Sequence, residues 1–446
     1  MTNRIARLLV SVLLGRLRSG RIEILEAGRR RAFGPPDAEL RATVTVRDPA
    51  AWRGVLRGSL GLGEDYLEGR WETDDLVALL RIAARELQRP SRLRAALAQI
   101  RGLSHRLRRL VPENSRRGAR ENISAHYDLG NELFSAFLDE RMMYSCALYP
   151  PDGDGASLEQ AQLAKLERIC AKLELGPDDH LLEIGTGWGG LAVHAAREHG
   201  CRVTTTTISR EQQRLALERV REAGLEDRVT VLLEDYRDLR GSYDKLVSIE
   251  MIEAVGWQHF DEFFRRCDEL LAPDGLMFLQ AITIDDGLYE AEKAARSFAN
   301  THVFPGGCLP SKAKIAACLA RATSLRQVWS ADITASYPPT LAAWRERFLA
   351  AWERLRRRGY DERFRRLWVF YLTLSEAGFR EGRIGDVQAL LAKSPSGDPR
   401  VRLASAGPSG ARTQGGQLAS LFGRLRTPQR AASAAARRAR GFADGL

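Results

Sequence analysis

The chain has 446 residues, 68 Lys and Arg against 57 Asp and Glu, a net charge of +11 and 44% hydrophobic residues. That balance belongs to a folded chain and excludes wholesale disorder and a collagen-like repeat. No apolar run reaches the roughly 18 residues of a membrane span, and six scattered cysteines without a C-x-x-C pair argue against a disulfide framework or metal site and for a reducing cytoplasm.

Residues 5–14 form an apolar stretch interrupted by Arg7, with no small-residue cleavage site. It reads as a short amphipathic surface helix rather than a secretory signal. Strand-like alternation follows at 21–26 and 41–47, then a helical stretch at 49–57 and a Gly-rich turn at 58–63. Thr73 reads as the N-cap of an apolar-periodic helix that runs to about Gln88, with Asp74 and Asp75 suited to its positive start. Together these predict a small α+β N-terminal domain, 1–118, which ends in an Arg-dense surface helix and linker containing Arg106, Arg108, Arg109, Arg116 and Arg117.

Residues 119–397 change character. Strands are predicted at 180–185, 202–208, 229–233, 245–249 and 276–282, with helices at 190–199 and 210–223. Alternation of this kind implies a doubly wound, mostly parallel α/β sheet of the Rossmann-like type. Residues 311–392 read as mainly helical and aromatic, with Trp344, Phe348 and Trp352 on one helix face, most simply core. The last segment, 398–446, reads as a basic disordered tail.

The positive charge sits at the ends. Residues 1–118 hold 24 Arg against 13 acids, residues 398–446 hold 9 Arg against 2, and the segment between them is negative. Basic ends point to an anionic partner. Nucleic acid is disfavoured: no recognisable module is present, and the tail has two Phe and no Tyr or Trp for stacking. An anionic membrane surface fits better.

One loop carries chemistry. Glu183-Ile184-Gly185-Thr186-Gly187-Trp188-Gly189-Gly190 leaves one predicted strand and opens a helix. Its glycines allow a sharp turn and a close approach to a ligand. A dinucleotide site wants an acid about 20 residues on. The second strand instead ends in Thr204-Thr205-Thr206-Thr207. With Glu183 before the loop, the E-x-G-x-G pattern favours a methyltransferase that uses S-adenosylmethionine.

Further motifs occur in order: Ser124-Ala125-His126-Tyr127-Asp128-Leu129-Gly130-Asn131, Met143-Tyr144-Ser145-Cys146-Ala147, Thr207-Ile208-Ser209-Arg210-Glu211-Gln212, Glu234-Asp235-Tyr236, Met251-Ile252-Glu253-Ala254-Val255-Gly256 and Phe304-Pro305-Gly306-Gly307-Cys308. Through them the chain resembles the cyclopropane-fatty-acyl-phospholipid synthases and their mycolic-acid relatives. The resemblance implies methyl transfer from S-adenosylmethionine to a cis double bond of a phospholipid acyl chain, closing a cyclopropane ring. Loss of a different proton is read as giving a methylene-branched chain, which a partner reductase could convert to a methyl branch. A soluble small-molecule methyltransferase is the other alternative.

The resemblance also implies roles for particular residues. Tyr144, Ser145, Gly185, Gly187, Thr207 and Gln212 are to contact the cofactor, with Asp235 and Tyr236 near its adenine. A bound bicarbonate ion is to be held by the backbone of Cys146 and Ile282 and by the side chains of Glu253 and Tyr337. At the fifth position Gln280 replaces the family's His, and an amide donates but does not shuttle a proton. The expected setting is cytoplasmic, peripheral at the inner face of the cell membrane, with a homodimer left open.

Overall fold

The computed structural model describes residues 2–89, 130–151 and 155–393. The Arg-dense segment beyond residue 89, the 118/119 boundary, the tail 398–446 and the motif residues 124–129 lie outside the described residues.

The N-terminal unit is a four-stranded sheet of β1 (Arg21–Glu26), β2 (Arg29–Phe33), β3 (Arg41–Val46) and β4 (Trp71–Thr73), in the order β2-β1-β3-β4. Ile22 and Ile24 of β1 and Ala42 and Val44 of β3 point into a core shared with the helices Asn3–Leu14 and Leu76–Gln88. β2 escaped the sequence reading because Arg29-Arg30-Arg31 is exposed and carries no apolar alternation.

Two local expectations are corrected. The Gly-rich segment 58–63 is not a turn but most of the helix Ser59–Leu67. A β-carbon on Gly63 would fall 2.2 Å from the Phe298 ring, so glycine is what lets this helix press against its neighbour. The N-cap of Leu76–Gln88 is Asp75, which accepts from the Ala78 N–H at 2.8 Å, while Thr73 ends β4.

The second sheet comprises β5 (His180–Ile184), β6 (Arg202–Thr207), β7 (Val229–Leu233), β8 (Tyr243–Ile249), β9 (Leu271–Ile284), β10 (Leu325–Asp332) and β11 (Ile384–Lys393). Its order is β10-β11-β9-β8-β5-β6-β7. It is the expected mostly parallel α/β sheet, with β11 running antiparallel to both its neighbours. β10 and β11 correct the mainly helical reading of 311–392. The helices Tyr337–Ala350, Trp352–Arg357 and Glu362–Arg380 are there, but strands flank them. β11 lies inside the sheet, and its Gln388 to Ala392 run is buried throughout, so no period-2 signal marks it.

Packing is continuous across the predicted domain boundary. Phe370 and Ala377 of Glu362–Arg380, together with Phe298, complete the N-terminal core. Glu381 clasps Arg81 at 2.6 Å and Arg85 at 2.5 Å.

Candidate active site

Parallel strands of an open α/β sheet gather ligands at their carboxyl ends, and that is where the singled-out residues meet. β5 gives way to Gly185, whose φ of +105° suits glycine; Gly187 follows at +52°, and the helix Gly190–His199 begins. A β-carbon on Gly187 would meet nothing within 4 Å, so the loop faces open space.

Beneath the loop, the Thr205 hydroxyl donates to Glu183 Oε2 at 2.6 Å. Burial pushes the Glu183 carboxyl up to about 8. Glu183 is therefore a neutral brace for the loop at neutral pH.

At the end of β6 the Thr207 hydroxyl donates to Gln212 Oε1 at 2.7 Å, and both side chains are buried. Asp235, just beyond β7, is gripped by Arg237 at 2.8 and 2.6 Å. The Tyr236 ring packs edge-on against Phe263 at 5.5 Å. Tyr144 and Ser145 lie on the segment before helix Leu158–Leu173, where the buried Lys165 ammonium donates to the Ser145 hydroxyl at 2.5 Å. A roomy glycine loop beside hydroxyl, amide and carboxylate groups fits a ligand that carries an amino acid, a ribose and an adenine.

The expected ion-site residues also converge, around a side chain the sequence reading passed over. Glu250 follows β8 directly. Its Oε1 accepts from the Cys146 N–H at 2.8 Å and from the Gln280 amide at 2.8 Å, and its Oε2 accepts from the Tyr337 hydroxyl at 2.5 Å. Gln280 in turn accepts from Gln388 at 3.0 Å and reaches Asp386 at 3.3 Å. Glu253, on the 3₁₀ turn Ile252–Ala254, accepts from the Ile282 N–H at 2.6 Å. Its other oxygen is buried without a hydrogen-bond partner among the described residues. Burial, and next the charge of Glu250, push the Glu253 carboxyl up to about 8.

Burial and the nearby acids raise the Cys146 thiol far above its usual range, so its contribution is its backbone N–H. Burial, and then Glu250, likewise raise Asp386 well above the carboxylate range. Burial lowers Lys165.

Glu250, Asp386 and Lys165 were missed. The last two had a signal: Asp386 stands in an apolar strand and Lys165 on an apolar helix face, and both are wholly buried. Glu250 had none, since a carboxylate after a strand is unremarkable until the fold turns it inward. Among the described residues one set of metal-ligand types also comes together, although none was expected. Cys170, His194 and His199 bring their ligand atoms within 4.8 Å of one another, on helices rather than at the strand ends.

Aromatic rings wall the site. Tyr337 stacks on Phe379 at 4.0 Å, and Tyr144 lies 5.2 Å from Trp344 and 5.4 Å from Phe134.

Comparison with known proteins gives the family. The family model for mycolic acid cyclopropane synthetase matches residues 114–389. The tuberculostearic acid methyltransferase UfaA1 of Mycobacterium tuberculosis is 39% identical over 357 residues, covering 79% of this chain and 83% of the relative. The cyclopropane-fatty-acyl-phospholipid synthase of Escherichia coli K12 is also 39% identical, over 364 residues, covering 81% and 90%. Among solved structures, the mycolic acid cyclopropane synthase CmaA1, complexed with SAH and CTAB, superposes with a TM-score of 0.58 at 30% identity, covering 61% of this chain and 98% of its own. Coclaurine N-methyltransferase, at 21% identity and a TM-score of 0.55, shares the fold. A glycine loop after β5, a walled carboxylate cluster and a match over most of the chain have one common reading: this chain belongs to the mycolic acid cyclopropane synthetase family and is an S-adenosylmethionine-dependent lipid methyltransferase.

Proposed function

We propose that the chain methylates the cis double bond of an unsaturated acyl chain in a phospholipid. The carrying observation is the carboxylate cluster walled by aromatic rings beside the cofactor loop. An alkene is a weak nucleophile, and S-adenosylmethionine supplies an electrophilic methyl group. Transfer leaves a cation on the chain, which ring faces and a carboxylate stabilise while water is kept out. Tyr337 and Gln280 hold that carboxylate in place; Cys146 and Ile282 serve through their backbone N–H groups.

Atom balance corrects the idea that the two products lose different protons. In both, the proton leaves the new methyl group. Direct loss closes the cyclopropane ring, which is the first reading. If a hydride first shifts onto the neighbouring cationic carbon, the same loss gives the methylene branch. The tuberculostearic acid methyltransferase relative favours that second reading.

Incubation with S-adenosylmethionine and cis-unsaturated phospholipid vesicles is expected to yield acyl chains one CH₂ heavier, and proton NMR of the product distinguishes ring from alkene. Methylation of water-soluble acceptors alone would sink the proposal.

The lipid is reached, in this reading, at an anionic bilayer on the cytoplasmic side. Helix Asn3–Leu14 buries Ala6 and Val10 but exposes Ile5 at 51%, Leu8 at 65%, Leu9 at 45% and Val12 at 44%. Arg7 and Ser11 of this helix share a small hollow with Arg29 and Arg31 of β2 and with Glu26, which pairs with Arg7 at 2.9 Å, so a net basic patch adjoins the apolar side chains. That pairing suits an interfacial helix. No helix among the described residues is long and apolar enough to cross a membrane. Changing Ile5, Leu8 and Val12 together to Glu is expected to weaken binding to anionic vesicles by about tenfold or more and to spare affinity for S-adenosylhomocysteine. Unchanged flotation with vesicles would refute this contact.

A further inference from the structure

We propose that Glu250 is a built-in anion that does the work a free bicarbonate ion was expected to do, and that this enzyme turns over without that ion. The inference rests on the methyl-transfer reading above and deepens it.

The groups expected to hold bicarbonate are the backbones of Cys146 and Ile282 and the side chains of Glu253, Tyr337 and Gln280. Four of their donors, all but that of Glu253, are already engaged. Cys146 N–H, Gln280 and Tyr337 all donate to Glu250, and Ile282 N–H donates to Glu253. An entering ion would have to displace a carboxylate tethered to the chain, which pays no translational entropy to be there. The residues present do not fit the ion; they fit Glu250.

Three further features agree. The Gln388 amide donates to Gln280 Oε1 at 3.0 Å, which turns the Gln280 N–H₂ group toward Glu250. An amide donor at 280 suits a carboxylate acceptor. Glu250 also holds φ at +47°, in the left-handed region, while its N–H donates to the Gln280 carbonyl at 2.8 Å. Such a backbone is strained in a residue with a β-carbon and persists where surrounding contacts impose it. Finally, charge is balanced around this one group. Burial, and next the charge of Glu250, raise the Asp386 carboxyl well above its usual range, and Lys165 is the buried basic group of the cluster.

The chemistry balances. After methyl transfer the acyl chain carries a cation. A C–H bond of the new methyl group breaks and its electron pair forms the ring C–C bond, or the C=C bond after a hydride shift. The proton passes to a Glu250 carboxylate oxygen and leaves to water with the product, which restores the carboxylate. No oxidant or metal is required.

The test uses the full chain bound to S-adenosylhomocysteine and titrated with isotopically labelled bicarbonate, followed by carbon NMR. Wild type is expected not to bind the ion, whereas Glu250→Gly is expected to bind it in the vacated cradle. Glycine is at ease at this φ, so the variant should fold. In the vesicle assay, wild type should keep its rate when dissolved carbon dioxide is stripped. Glu250→Gly should be slower by about 10²–10⁴-fold and be partly restored by millimolar bicarbonate or formate. Glu250→Gln keeps the shape without the charge and should be slow and not restored.

Bicarbonate binding by wild type, a wild-type rate that falls on stripping, a Gly variant at full rate without added anion, or a Gly variant that neither binds nor responds to the ion would each overturn the inference. The titration needs no lipid turnover, so a failure of the proposed substrate is seen separately.

Discussion

Replacing Glu253 by Ala is expected to lower kcat on unsaturated phospholipid by about 10²-fold or more, while Glu253→Gln keeps most of the rate near neutral pH. The difference follows from the protonation state. Burial, and secondarily the Glu250 charge, hold the Glu253 carboxyl up at about 8, so at neutral pH it is an acid with an O–H to donate. An amide imitates that group and still accepts from the Ile282 N–H, which Ala leaves without its acceptor.

Above pH 8 the native carboxyl ionises beside Glu250, and wild-type activity should decline. Gln cannot ionise, so its profile should stay flat there. A Gln variant as slow as Ala at neutral pH would show that the anion of Glu253 is needed.

Stability carries the same sign. Folding raises this group from its usual 4.5 to about 8, so the native state keeps a proton that the unfolded chain releases between those values. Its stabilisation is complete below 4.5 and is lost as the pH climbs past about 8. Glu183 shifts in the same direction, so the two should act together in a melting profile taken against pH.

The second large effect concerns the joint between the two halves. Glu381→Ala is expected to destabilise the protein by about 3 kcal/mol. The Glu381 side chain is 7% exposed and takes hydrogen bonds from Arg81 at 2.6 Å and Arg85 at 2.5 Å, while its carbonyl accepts from Gln88 at 2.6 Å. Removing the carboxylate leaves two partly buried guanidinium groups without their shared acceptor, with only Glu39 still near Arg85 at 3.7 Å.

Burial pushes the Glu381 carboxyl up, but the hydrogen bonds from Arg85 and Arg81 outweigh it and hold the group below its usual 4.5. The stabilisation is therefore present above that value and fades as pH falls through the lowered one. A lowered melting temperature should accompany faster hydrogen exchange in Leu76–Gln88, with β5 and β6 less affected. A melting temperature equal to wild type would refute the role.

Much of the fold could be read from periodicity. The strands that became β5 to β8 and the helices between them announce themselves, because a buried parallel sheet needs β-branched runs and its crossovers need amphipathic helices. The Gly-rich helix at 59–67 could not be read locally. Glycine disfavours helix in isolation, and only contact with Phe298 and Phe370 makes its missing side chain an advantage.

The site was legible in parts. Gly185, Gly187, Thr207 and Gln212 sit where strand–loop–helix logic puts them. Tyr337, Gln280, Glu253 and Cys146 meet because β8, β9 and a distant helix converge, which no local spacing reveals. Glu250 was hidden for a different reason. Its role follows from a left-handed backbone angle at the end of β8, and that is a property of the folded chain alone.

Helix Glu362–Arg380 presses Phe379 against Tyr337 at 4.0 Å, and it also completes the N-terminal core with Phe370 and Ala377. The molecule is for this reason not divisible at the seam its sequence advertises. A fragment cut within 90–129 would inherit a bare apolar stripe and an orphaned Glu381, and the ring that steadies the Tyr337 phenol would ride on a helix stripped of its backing. Any catalytic half made this way should be judged first by whether it stays in solution, before its activity is taken as a measure of the chemistry.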